Sequence, residues 1–326
     1  MLTGSLPLSL LIFLWYALGT LTITTSKTLL STSYPTLNDQ DLHHPVSPVT
    51  LTIFQFLVST ITLNLLLLHH PFPSFLSLPP LPPSQKTLLL KTSFTYTLGF
   101  LLTSYSFSLS TASFTETIKS SEPITSTLVA LYFSVSPVSS GEFLGILLII
   151  LGVLSTVHDA SSSHTPSILT STPNPTLSLM ITLTSNLCFS LRNVYQTILK
   201  KEMRNFNTFR FFHGMCQLSL LLMLPIFLFH LPKSLCPISA LPPLCLNGLS
   251  HCFYNLCSAM ILSRVSMIDH SMFNCLRRLG AILVSNFWFG VGMGMWGGGG
   301  IVGTVGGVAV YERKKAERKR KESLPR

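Results

Sequence analysis

The stretch "LLTSYSFSLSTASFTETIKSSEPITSTLVALYF", residues 101–133, decides how the rest of the chain is read. Its two ends suit lipid, yet its middle holds Glu116, Lys119 and Glu122. A charged side chain at the centre of a bilayer costs from about 2.5 to above 10 kcal/mol, so such residues turn toward protein or a water-filled interior. Their spacing of three and three puts them on roughly one helical face. Pro123 follows at once and predicts a kink, with backbone groups freed at the same depth.

Outward from that stretch the chain keeps the same character. Of its 326 residues, 47% are hydrophobic and only 10% charged, against roughly 25% charged in a soluble domain. Seven long apolar stretches carry no charge, and a few more carry one or two. The fold class is therefore an all-α polytopic membrane protein rather than a large soluble core. About ten spans are read, near 8–29, 49–69, 88–109, 113–134, 142–158, 176–198, 209–230, 237–262, 266–289 and 296–311. "DASSSHTPSILTSTPNPT" (159–176) divides them five and five. The domain expectation is a first five-helix repeat over 1–158, a polar central loop over 159–175, a second repeat over 176–311 and a basic cytosolic tail over 312–326.

Two joins look alike. "SLSTASFTETIK" (108–119) and "ILSRVSMIDHSM" (261–272) each connect two spans with almost no loop, and both carry Leu-Ser-x-x-Ser. Five spans per half means that the halves run in opposite directions. That is an inverted repeat, which places a transporter's substrate near the midplane. Loop charge fits this count. With both termini cytosolic, Lys86, Lys200, Lys201, Arg204, Arg264 and the tail fall on one side, and Asp39, Asp41, Asp159 and Lys233 on the other.

Other classes are set aside by the same residues. Half of the net charge of +10 sits in "ERKKAERKRKESLPR" (312–326), read as a solvated tail without interleaved aromatics, so no nucleic-acid partner is expected. The seven cysteines are odd in number and form no C-x-x-C pair, so neither a disulfide framework nor a metal site is expected. No nucleophile motif or phosphate loop appears, and the histidines look scattered, mostly in loops; no enzyme, catalytic residue or cofactor is expected. "GVGMGMWGGGGIVGTVGG" (290–307) places Gly299, Gly303 and Gly307 four apart, a close-packing face from Ile301 onward and a candidate loop before it.

Four cations fall inside spans: Lys119, Arg192, Arg277 and Arg278. In "NCLRRLGA" (274–281) the adjacent arginines point about 100° apart and can line one cavity. Asp269 is the one counter-ion near them in sequence. Two guanidiniums with so few carboxylates call for an external anion, and their forked donors suit phosphate.

At these residues the chain resembles the triose-phosphate translocator family. "SFTETIKSSEP" is similar to its fourth-helix motif, and "TSNLCFSLRNVYQTILKK" (184–201) to its sixth-helix segment. "FYNLCSAMILSRVS" (253–266), "CLRRLGAILVS" (275–285) and "GIVGTVGGVAVY" (300–311) match further family segments in order. The resemblance implies the drug/metabolite transporter fold shared with nucleotide-sugar transporters, ten helices in two inverted halves. It also implies an antiporter of phosphorylated sugars or related organic phosphates. Carried onto this chain, the phosphate ligands are Lys119, Arg277 and Arg278, helped by Thr103 and Tyr254, with Arg192 at the sixth-helix arginine position. The pattern is departed from at Arg277, where Lys is usual, and at Phe100 and Glu116, where His is frequent. "FNC" (273–275) replaces a Gly-Asn, and Met267 a Pro.

The expected function is thus a secondary transporter, an antiporter of a sugar phosphate or nucleotide sugar across an organelle membrane. The alternative is a non-transporting scaffold or receptor on the same fold. Expected partners are the phosphorylated substrate and the lipid bilayer, with a second copy of the chain as a candidate. No Lys or Arg precedes the first apolar run, and no Arg-rich transit segment is read, so Golgi or another endomembrane is expected over a plastid envelope.

Overall fold

The computed structural model describes residues 6–32, 34–35, 43–67, 82–134, 139–162, 175–203, 207–230, 238–288 and 294–322. Those residues form eleven α-helices. They are α1 (Leu8–Ser31), α2 (Pro48–Leu67), α3 (Pro83–Leu109), α4 (Ala112–Lys119), α5 (Glu122–Tyr132) and α6 (Ser140–Ser162). Then come α7 (Pro175–Glu202), α8 (Thr208–His230), α9 (Leu241–Leu262), α10 (Met267–Trp288) and α11 (Met295–Glu322). A two-residue antiparallel pairing of Tyr34–Pro35 with His43–His44 is the one strand contact among the described residues.

Burial departs from that of a soluble protein at the surface and in the number of polar groups inside. Large apolar side chains face outward on helix after helix, with Phe13 67%, Phe287 88% and Val302 73% exposed. The interior combines an apolar core, with Leu29, Phe56 and Phe212 fully buried, with many hydroxyls, amides and charges, including Ser59, Thr182, Asn186 and His251, also fully buried. An apolar exterior of this extent marks a surface made to be covered, and lipid covers it without a partner protein. By length and apolarity alone, α1, α2 and α8 qualify as membrane-crossing.

The fourth apolar stretch is two helices, not one kinked helix. α4 stops at Lys119 and α5 starts at Glu122, with Ser120 and Ser121 in turn conformation between them. Pro123 explains why: it cannot donate back into α4, and it suits the first turn of a new helix. The break leaves carbonyls that must find donors. Ile118 O accepts from Ser121 N (3.1 Å), Ser121 Oγ (2.7 Å) and Asn186 Nδ2 of α7 (3.1 Å). Cys275 Sγ of α10 reaches Ser120 O at 3.6 Å. Two neighbouring helices therefore hold the break in place.

Hydroxyls also join α3 to α7, which run antiparallel. Thr103 meets Ser185 (2.9 Å), Ser106 meets Thr182 (2.6 Å), and Ser178 donates to Ser110 (2.9 Å). Such interhelical bonds contribute about 0.6 kcal/mol each in lipid, but they fix register. α6 and α11 pack by close backbone approach instead. A Cβ on Gly152 would stand 2.5 Å from Gly300 O and Thr304 N, and one on Gly307 2.7 Å from Ile149 N. Gly303 and Gly307 of the predicted glycine face lie against α6, joined by Gly300, while a Cβ on Gly299 would meet nothing within 4 Å. The helix also starts earlier than expected, at Met295.

α11 does not end where the apolar run ends. It continues to Glu322, through most of the basic stretch read as a solvated tail. Lys315 pairs with Asp269 at the start of α10, and Arg318 Nε donates to Glu142 Oε1 at the start of α6 (2.7 Å). Both acids also close capping boxes. Glu142 N donates to Ser139 Oγ (3.3 Å) and Asp269 N to Ser266 Oγ (3.2 Å). At the same end Arg264 donates to Leu6 O (2.7 Å) and Lys200 to Ser263 O. A lysine missed by the sequence reading, Lys27, is buried in α1 and donates to Phe107 O (2.9 Å) and Ser110 O (2.8 Å) at the end of α3.

Candidate functional site

The charged residues of the spans converge at the α4–α5 break. Lys119, the last residue of α4, donates from Nζ to Thr103 Oγ1 of α3 at 2.7 Å. Its ammonium lies 5.0 Å from the centre of the Phe189 ring on α7. Glu122, the first residue of α5, pairs with Arg278 of α10. Asn274, one turn earlier on α10, ties the arginines together. Its Nδ2 donates to Glu122 Oε2 (2.6 Å), and its Oδ1 accepts from Arg277 Nε (2.9 Å). Arg277 and Arg278 therefore diverge, as adjacent helical residues must.

Arg277 lies beside two aromatic faces, 5.3 Å from the Tyr254 ring and 5.9 Å from that of Trp15. It passes α1 at Gly19, where a Cβ would stand 2.8 Å from Nη1. A side chain there would push the guanidinium aside. Arg192 of α7 lies 5.4 Å from the Tyr96 ring and donates to Asn193 Oδ1 at 3.0 Å. All four cations, with Glu116 and Glu122, are at most 5% exposed.

Two adjoining cavities, each with a volume of ≈ 30 Å³, share Lys119, Tyr254 and Arg277 in their walls. The first adds Thr103, Glu116, Gln55 and further hydroxyls; the second adds Glu122, Arg192, Asn274 and Arg278. Each has room for roughly two waters. The six residues singled out from sequence, Lys119, Arg277, Arg278, Tyr254, Thr103 and Arg192, all line one cavity or the other.

Three sequence expectations are corrected here. Glu116, Lys119 and Glu122 do not share one face, because the helix breaks between the second and third. Glu116 falls in the first cavity and Glu122 in the second. Asp269 is not the counter-ion of the arginines; Glu122 is, and Asp269 holds Lys315. Five histidines lie in helices and not in loops: His158 in α6, His213 and His230 in α8, His251 in α9 and His270 in α10. His270 lies in α10, stacked on Trp15 (centroids 4.8 Å apart) and bonded to Ser258 Oγ (2.9 Å). His251 lies in α9, edge-on to Phe100 at 4.6 Å. Asn274 was missed as well, although its place three residues before Arg277 was the available signal.

Five guanidinium nitrogens in this site are buried with no hydrogen-bond partner: Nε and Nη2 of Arg192, Nη1 of Arg277, and Nε and Nη1 of Arg278. Glu116 Oε2 and Gln55 Oε1 are likewise unpartnered acceptors. Among the described residues no cluster of three His, Cys, Asp or Glu side chains could hold a metal ion.

A helical bundle with an apolar outside and a charged inside defines a membrane-embedded protein. Its sequence matches the model of the Triose-phosphate Transporter family over residues 6–312, and the chain belongs to that family, whose members are transporters and not enzymes. It is 28% identical over 311 residues to a chloroplastic phosphoenolpyruvate/phosphate translocator 2 of Arabidopsis thaliana, covering 88% of this chain and 74% of that one. It is 25% identical to a chloroplastic triose phosphate/phosphate translocator of non-green plastids from Brassica oleracea var. botrytis, over 96% of this chain and 74% of that one. A solved crystal structure shares the fold, with a TM-score of 0.63 at 13% identity over 93% of this chain and 95% of the other.

Proposed function

We propose that the protein is a secondary transporter that exchanges a phosphorylated sugar for another phosphorylated compound across an organelle membrane. One observation carries this reading. Four buried cations face two buried carboxylates, which leaves two positive charges, and five guanidinium nitrogens lack partners. A phosphate monoester brings about −1.5 to −2 charge and three acceptor oxygens. It supplies what the site lacks. Lys119, Arg277 and Arg278 would bind it, with Arg192, Thr103 and Tyr254 beside them; all six come from one copy of the chain. The names of the relatives pair an organic phosphate with phosphate, which supports exchange.

In this reading the chain crosses the membrane ten times, with α4 and α5 as two halves of one crossing and the halves of the chain inverted. The short joins at Ser110–Thr111 and Ser263–Ser266 support the likeness of the halves. Cavities of ≈ 30 Å³ admit no sugar phosphate, so loading requires the halves to part. A bound phosphate would neutralise the arginines and favour reclosure. An empty site would resist it, which couples each outward step to an inward one. The relatives' names, with their word "chloroplastic", weigh against the Golgi expectation. Imaging of tagged protein tests that point.

Purified protein in liposomes, offered a broad panel of phosphorylated sugars, nucleotide sugars and inorganic phosphate, tests the function. Exchange of at least one pair is expected, and Arg278→Ala should abolish it while leaving a folded protein. No exchange across the panel, or exchange retained in Arg278→Ala, overturns the reading. The Arg278–Glu122 pair is the observation that favours a scaffold instead. A scaffold would show no shift in thermal stability with any phosphate.

A further inference from the structure

The two cavities differ in what they lack. The unpartnered atoms of Arg192 and Arg278, in the second cavity, are donors. Those of Glu116 and Gln55, in the first, are acceptors, while Arg277 Nη1, an unpartnered donor, belongs to the wall that the two share. Buried polar atoms without partners are costly, so each set calls for a complementary ligand group. Donors call for phosphate oxygens. Acceptors, one of them a carboxylate 2% exposed, call for hydroxyls. Lys119, Tyr254 and Arg277 form the shared wall, so one molecule can present a phosphate to one side and a polar body to the other.

We infer that the first cavity is the subsite for the non-phosphate end of the substrate and that Glu116 is its specificity-determining residue. It admits an end rich in hydroxyl donors and rejects one that carries a second acid group. This rests on the function proposed above and narrows its substrate class to polyhydroxylated sugar phosphates. The physical reason is asymmetric. Sugar hydroxyls donate to Glu116 Oε2 and Gln55 Oε1 and satisfy both. Phosphoenolpyruvate has no donor to offer there, and its carboxylate would stand against that of Glu116 in a site of low dielectric, where like charges repel strongly. Thr22, Ser26 and Ser104, also in this wall, add hydroxyls that can serve either role and so do not decide the choice.

The test is competition for phosphate exchange by the full-length protein in liposomes loaded with inorganic phosphate. A hexose monophosphate should compete at a concentration at least tenfold below that of phosphoenolpyruvate. Glu116→Gln removes the charge but keeps an acceptor, and should shrink that gap at least fivefold, chiefly by admitting phosphoenolpyruvate. Phosphoenolpyruvate competing as well as the hexose phosphate in the unaltered protein overturns the inference, and this arm needs no variant to fold. A gap unchanged in Glu116→Gln overturns it too, while leaving phosphate exchange, and hence the broader function, intact. Absence of exchange for every compound of the panel overturns both.

Discussion

Arg278 and Glu122 stand 156 positions apart in the chain, yet form the central ion pair of the site. Removing one member of a buried pair strands the other and costs about 3–5 kcal/mol. Glu122→Gln should therefore lower the thermal midpoint in detergent. Added inorganic phosphate should restore more of it in the variant than it adds to the unaltered protein, because the anion replaces the lost charge. Equal shifts in both would place Arg278 beyond the anion's reach. The cations themselves were legible in sequence, since Lys119, Arg192, Arg277 and Arg278 interrupt apolar runs. Their partners were not. Helical spacing speaks only of neighbours on one helix, and Asp269 looked close in sequence while Glu122 is close in space.

At the scale of the element, helix positions were readable because apolar runs and proline connectors mark them. The α4–α5 break was half readable. Pro123 announced a disturbance, but whether a helix bends or stops depends on who takes up the freed carbonyls, and Asn186 and Cys275 lie on other helices. The α6–α11 contact was readable as small-residue spacing, and Gly303 and Gly307 do lie on it; only the first member, Gly299, points to open space. Gly152→Leu should force the pair apart. Overpacking of a close contact costs about 1–3 kcal/mol, so the midpoint should fall, and far more than for Gly299→Leu, whose position is open. Equal losses at the two positions would show that helix propensity and not contact sets the cost.

For the whole molecule, the apolar exterior was legible from composition, and so was the concentration of basic residues in the last fifteen positions. The fate of those residues was not. Charge runs usually face water, and nothing in "ERKKAERKRKE" names Asp269 and Glu142 as partners. Arg318→Glu should undo one tie, of a kind worth about 1.5–3 kcal/mol when one partner is charged, and expose the last turns of α11 to trypsin. The swap Arg318→Glu with Glu142→Arg should restore protection. Rapid cleavage of the double variant would show that the tie does not hold those turns.

α11 has one more consequence. At about 1.5 Å per residue, its 28 residues extend about 42 Å, against about 30 Å for the hydrocarbon of a bilayer. On the proposed ten-crossing reading, roughly two turns of α11 would project into water as a rigid spar, braced against the first turns of α6 and α10. A spar fixed to the wall of the chamber moves when the wall moves. A label at its tip, with a second at the start of α3, would act as an external gauge of how far the chamber has opened, read without touching any residue that meets the substrate.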